Sequence, residues 1–304
     1  MQRGKIRQIV FPLITAFIFG SSFVVQSLAS GQLGCFTLNW TRSLLSAGGL
    51  FLLLCLRRRA GKGDGTVSGG TQGRSLLRAG LVVGTLLTVS CNLQQYGIAF
   101  TSAGKAGFIT ALYIVIVPIL GLFFRKRVRL LVWVAVLLAC GGIYFLCVQT
   151  VGSLQLQKGD LFVLASAFTF SLHILAIDHY AKDVGFDGLC LSCAQFAVAC
   201  VECLICALLF EGLPFAQILL SARYILYMGL VCGGVGYTLQ ILAQAEGEAV
   251  IVSLLLSLES LFAVLCGAII LHERLSGRET FGCALMLLAV VLVQLPEKKS
   301  AASA

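Results

Sequence analysis

The chain has 304 residues, 59% of them hydrophobic and only 12% charged, whereas soluble domains carry about 25% charged residues. With a mean hydropathy of +0.98, a soluble enzyme or nucleic-acid-binding domain is excluded. The net charge of +9 resides in short basic clusters between apolar runs, a distribution that serves lipid headgroups and topology and offers no basic face to nucleic acid.

The first stretch, MQRGKIRQ followed by IVFPLITAFIFG and SLAS, superficially resembles a secretory signal. Its apolar run continues to Ala29 and has a counterpart later in the chain, so it reads as a retained helix. Ten apolar segments follow one another: 9–29, 34–56, 79–100, 106–124, 130–148, 160–179, 188–210, 222–243, 249–271 and 279–295. A hydrocarbon core of about 30 Å needs about 20 apolar residues in a helix. The segments therefore predict an all-α integral membrane protein of ten transmembrane helices. The one substantial loop, Arg57 to Ser75, is basic and rich in glycine, which predicts a linker without a fold.

Lys and Arg are retained on the cytoplasmic side of short loops. With the N-terminus inside, sixteen of them lie inside: Arg3, Lys5, Arg7; Arg57, Arg58, Arg59, Lys62, Arg74, Arg78; Arg125, Lys126, Arg127, Arg129; Lys182; Lys298 and Lys299. Five lie outside (Lys105, Lys158, Arg223, Arg274, Arg278), and Arg42 is inside a span. Both termini are expected in the cytoplasm, in a cell (inner) membrane.

Two stretches repeat. Residues 11–23, FPLITAFIFGSSF, match 162–174, FVLASAFTFSLHI, through Phe11/Phe162, Leu13/Leu164, Ala16/Ala167, Phe17/Phe168 and Phe19/Phe170. A weaker match pairs Gln94/Gln240, Leu112/Leu258 and Gly121/Gly267, and sets Tyr113 opposite Glu259. The chain thus divides into a repeat over 1–150, with a cytoplasmic loop at 57–78, and a second over 151–304. Five spans per repeat make the halves inverted, the organisation of secondary transporters whose solute site lies between the halves at the midplane.

The segment LHERLSGRETFGCALMLLAVVLV at 271–293, the helix entry GDLFVLASAF at 159–168 and Arg42 in the second span give the chain a resemblance to the EamA-like branch of the drug/metabolite transporter superfamily. That resemblance implies a ten-helix inner-membrane exporter or exchanger of amino acids and other small metabolites. It also implies a cavity surrounded by helices 1 to 4 and 6 to 9, with helices 5 and 10 peripheral. The chain departs from the family pattern at Ser260, where a proline commonly follows the residue at Glu259, which puts a kink there in doubt. It departs again at Arg127, near the first-half position of the Glu273 turn.

Glu259 lies about ten residues from either end of the ninth segment, where a carboxylate costs roughly 2.5 to 3.5 kcal/mol on insertion scales. It is either a proton-accepting group of a watered cavity, since desolvation favours the protonated acid, or a neutral acid bonded to a neighbouring helix. Arg42 and Glu202 share a depth, so they form a gate or a structural ion pair. Asn92, Gln95 and Tyr96, with Tyr237, Gln240 and Gln244 opposite them in the repeat, line the cavity or hold helices together. Trp40, Tyr113 and His173 are candidates to complete the pocket; Trp40 equally suits an aromatic belt, and a lone histidine equally suits packing. Gly229, Gly233, Gly234 and Gly236 form a small-residue face for close packing or bending.

The thirteen cysteines sit in or beside apolar runs and read as packing residues. The Cys200, Cys203, Cys206 spacing forms a drifting helical stripe without accompanying histidines, so no metal or other cofactor is expected. Small solutes, the bilayer and protons are the expected partners. No phosphate-binding glycine loop is present, which favours proton or solute exchange over ATP as the driving force. The alternatives are a multispanning membrane enzyme, which the scattered His173, His179 and His272 do not favour, and a passive channel.

Overall fold

A computed structural model describes residues 2–60, 70–123, 130–147, 158–183, 187–270 and 276–294. Arg125 to Arg127, Arg129, Lys62, the Glu273 turn with Arg274, and Lys298 and Lys299 lie outside the described residues. So do residues 61–69 of the 57–75 loop, whose two ends are helical: α2 continues to Arg59 and α3 begins at Gly70.

All regular elements are helices. The first half comprises α1 (Gln2–Ser30), α2 (Cys35–Arg59), α3 (Gly70–Ile98), α4 (Ala103–Thr110), α5 (Tyr113–Phe123) and α6 (Leu130–Cys147). The second begins with α7 (Lys158–Asp183), α8 (Gly188–Phe210) and the short α9 (Phe215–Leu220) and α10 (Ala222–Leu226). A π-helix (Tyr227–Tyr237), α11 (Thr238–Glu246), α12 (Ala249–Leu256), α13 (Glu259–Ile270) and α14 (Gly277–Gln294) complete it. Among the described residues, eight helical stretches are long and apolar enough to cross a membrane, and shorter apolar helices lie at 130–142 and 280–289.

The packing is symmetric under exchange of the halves. Helix α2 lies along α8, and α6 lies along α14, each pair mapping onto itself. The contact of α3 with α7 has its mirror in the contact of the π-helix and α11 with α1, and that of α4 and α5 with α7 in that of α12 and α13 with α1. With the shorter apolar helices at 130–142 and 280–289 taken as the fifth and tenth crossings, each half has five, so the exchange sets an outward helix on an inward one. This is an all-α membrane protein of two inverted halves.

Two crossings are broken at matching places. The fourth turns at Ala111 and Leu112, between α4 and α5; the ninth turns at Ser257 and Leu258, between α12 and α13. At both breaks the backbone tightens to bonds three residues apart, Ile114 N to Ala111 O (3.0 Å) and Ser260 N to Ser257 O (3.2 Å). In the second half the hydroxyls of Ser253, Ser257 and Ser260 also donate to the carbonyls three residues back, at 2.7 to 2.9 Å, which weakens the helical ladder. The break at Glu259 therefore forms without the proline, and the doubt raised by Ser260 is removed.

The eighth crossing carries its irregularity in the π-helix. Ser46 Oγ sits 2.7 Å from Gly229 O and 2.8 Å from Arg42 O and donates to one of them. A Cβ at Gly233 would collide with Ser46, and one at Gly229 would meet Leu45 Cβ at 2.7 Å. Glycine is thus what lets this helix close on α2. Gly236 packs on Phe19, whereas Gly234 meets nothing nearer than 3.7 Å, so three of the four expected glycines make the packing face.

Candidate functional site

Residues on both sides of the two helix breaks line one cavity, which receives side chains from both halves. From the first half it receives Phe19, Ser22, Phe23 and Gln26 of α1, Arg42 of α2, Gln94 of α3, Thr110 of α4 and Tyr113 of α5. The second half supplies Phe170 and Ile174 of α7, Cys232 and Tyr237 of the π-helix, Gln240 of α11, Leu256 of α12 and Glu259 of α13. Among the described residues, none of α6, α8 or α14 lines it.

The lining comes in repeat-related pairs. Phe19 and Phe170 correspond, as do Phe23 and Ile174 one turn further on. With the other register, Gln94 corresponds to Gln240, Thr110 to Leu256 and Tyr113 to Glu259, and every member of these pairs reaches the cavity. The last pair carries the asymmetry, a phenol in one half and a carboxyl group in the other.

Glu259 is the first residue of α13 and is 4% exposed, so it sits at a helix N-terminus, where the helix dipole favours negative charge. A Cβ at Gly20 would meet Glu259 O at 2.5 Å; the missing side chain allows α1 to pack directly against this turn. Tyr113 neighbours the carboxyl group, yet neither the Tyr113 hydroxyl nor Glu259 Oε1 has a hydrogen-bond partner at bonding distance. Across the cavity, Gln94 Nε2 donates to Thr110 (3.1 Å) and Gln240 Nε2 to Gln244 Oε1 (3.3 Å). Gln244 in turn donates to Ile174 O (2.8 Å).

Polar contacts join helices of the two halves at both ends of the bundle. At one end Lys105 Nζ lies 2.5 Å from the Asp160 carboxylate, whose side chain is fully buried and also accepts from Thr101 (2.9 Å). At the other, Gln8 Nε2 donates to Glu246 O. The first contact joins the start of α4 to α7; the second joins the end of α11 to α1.

The profile of the EamA-like transporter family matches residues 6–148 and again residues 157–295. The chain belongs to the EamA-like transporter family. It is 29% identical over 290 residues to an uncharacterised transporter of Archaeoglobus fulgidus, covering 93% of this chain and 84% of that one. A crystal structure with 15% identity superposes with a TM-score of 0.74 over 94% of this chain and 96% of the other, a likeness of fold.

In this EamA-like transporter, Glu259, Tyr113, Tyr237, Gln240 and Arg42 line the cavity as a group. The remaining candidates do not. Tyr96 is 44% exposed and packs outward on Phe100 and Phe162. Asn92 bonds to Asn39 (2.7 Å), to Thr88 O and to Cys203 Sγ; it holds α3 to α2 and α8. Gln95 donates to Gln26 O (3.2 Å), behind the lining, and Gln244 sits one layer back. Half-buried Trp40 turns to Cys200 of α8. His173 is fully buried against Gln195 (3.2 Å) and packs edge-on to Tyr237, bracing that ring from behind.

The Arg42–Glu202 ion pair is not formed. Glu202 accepts from Thr85 (2.6 Å), while Arg42 turns into the cavity; equal depth in two helices does not fix which faces they present. Of the polar run on α3 it is Gln94 that reaches the cavity, and Phe19 and Phe170, an identical pair in the repeat, line it without having been candidates. Among the described residues, no group of three or more His, Cys, Asp or Glu is placed to hold a metal ion.

Proposed function

We propose that this EamA-like transporter is a secondary active exporter or exchanger of small polar metabolites such as amino acids, working by alternating access at the central cavity. The observation that carries the reading is the buried cavity where two broken helices of opposite halves meet, with polar and charged side chains converging on it. Broken helices expose backbone and helix-end charge at membrane depth, which is where carriers hold solutes. The contacts at Lys105–Asp160 and Gln8–Glu246 would open in turn as the halves rock. Glu259 exchanges a proton against solute, and both termini lie in the cytoplasm, a reading supported by the excess of Lys and Arg in the loops on that side.

Counterflow tests the proposal. Full-length protein is reconstituted in liposomes loaded with a mixture of the common amino acids, and uptake of a trace of each labelled one is measured. Saturable, protein-dependent accumulation is expected for one or a few. Unsaturable equilibration would identify a channel, and the absence of any specific flux across amino acids and other small polar metabolites would overturn the carrier reading.

A further inference from the structure

Among the described residues, a full positive charge inside the cavity has no protein counterion. Arg42 is 5% exposed and lines the cavity. Its Nε has no hydrogen-bond partner. Its electrostatic neighbours are Cys91, Cys203, Cys232 and Tyr237, thiols and a phenol. Glu202, the acid at equal depth, is bonded to Thr85. Glu259 shares the cavity, yet no ion pair joins it to Arg42 among the described residues, and Cys232 neighbours both.

A guanidinium cannot shed its proton to relieve burial, and an uncompensated buried charge is strongly destabilising. Its planar fork of N–H donors matches a carboxylate in two parallel bonds. One guanidinium balances one carboxylate, whereas a phosphate dianion would leave a net buried negative charge.

We propose that Arg42 is the anchor for a carboxylate on the transported solute, so that the cavity selects acids and zwitterions over cations and neutral solutes. This rests on the carrier reading above. A zwitterion would lie with its carboxylate on Arg42 and its ammonium group toward Glu259. The first half then holds one end of the solute and the second half the other, which ties occupancy to the relative position of the halves.

The test uses the wild-type carrier first. For whichever amino acid shows counterflow, the acid, its carboxamide, its N-acetyl derivative, the decarboxylated amine and inorganic phosphate are compared as competitors. The carboxamide and the amine should compete at least about tenfold more weakly than the acid, the size expected for losing a charged hydrogen bond in a buried site. Phosphate should compete poorly. Arg42→Gln should erase the difference between acid and carboxamide, and Arg42→Lys should keep part of it. If either variant fails to fold, the wild-type series still decides. Equal competition by acid and carboxamide, or phosphate outcompeting the acid, overturns the assignment while leaving the carrier reading intact. No counterflow of any amino acid or other carboxylate-bearing solute overturns the assignment, and saturable flux of a cation or neutral solute in its place would preserve the carrier reading alone.

Discussion

Tyr113 and Glu259 occupy the same place in the two halves: each opens the helix that follows a two-residue break in a crossing, and both face one cavity. The relationship is one of position without chemical identity: a phenol in one half stands where a carboxyl group stands in the other.

Glu259→Gln keeps the side-chain volume and the helix break but removes the exchangeable proton. Flux driven by an imposed pH gradient should fall to the background of empty liposomes, with membrane insertion and the monodispersity of the purified protein unchanged. Wild-type pH-driven flux in this variant would remove Glu259 from the coupling mechanism.

Gln94 and Tyr96, two residues apart on α3, separate the cavity from the lipid face. Gln94→Ala should weaken solute competition several-fold by deleting a polar group of the lining, since a neutral hydrogen bond contributes about 0.5 to 1.5 kcal/mol. Tyr96→Phe should leave the affinity as it was. The reverse ranking in counterflow would mean that α3 presents its other face.

Removing one partner of the Lys105–Asp160 pair leaves the other charge in a partly buried place. Asp160→Asn should therefore loosen that end of the bundle and speed the reaction of Cys232 with a membrane-impermeant thiol reagent added from the same side. Unchanged labelling would show that this contact does not close the cavity.

Glycine at 233 is required by the approach of α2. Gly233→Ala should lower the melting temperature by an amount matching about 1 to 3 kcal/mol of overpacking, with Gly234→Ala nearly neutral because its Cβ meets only Gly229 O at 3.7 Å. Comparable losses in both variants would show that the close approach of α2 at 233 is not what sets the cost, since helix propensity favours alanine at both positions.

Glu211, at the end of α8, accepts from the amides of Phe36 (3.0 Å) and Thr37 (2.8 Å) and so caps α2 across the halves. Glu211→Ala removes the cap and should cost about 1 kcal/mol, read as a lower melting temperature in detergent with cavity competition unaffected. No change in melting would mean that water replaces the cap at no penalty.

The sequence alone determined the class, the ten apolar segments and the repeat, because these depend on composition and spacing that need no partner to be read. The pairing of Gln94 with Gln240 and of Tyr113 with Glu259 was legible in the same way, and the matching helix breaks fall in that register. Which face each helix turns inward was decided only by the tertiary structure. In a membrane both faces of a helix can be apolar, so periodicity does not mark the inner one, and Asn92, Gln95, Tyr96 and Glu202 proved to look elsewhere. The position of Arg42 followed the same logic: its depth was set by its place in the chain, but the close approach at Gly229 and Gly233 set the packing of α2 that turns it to the cavity.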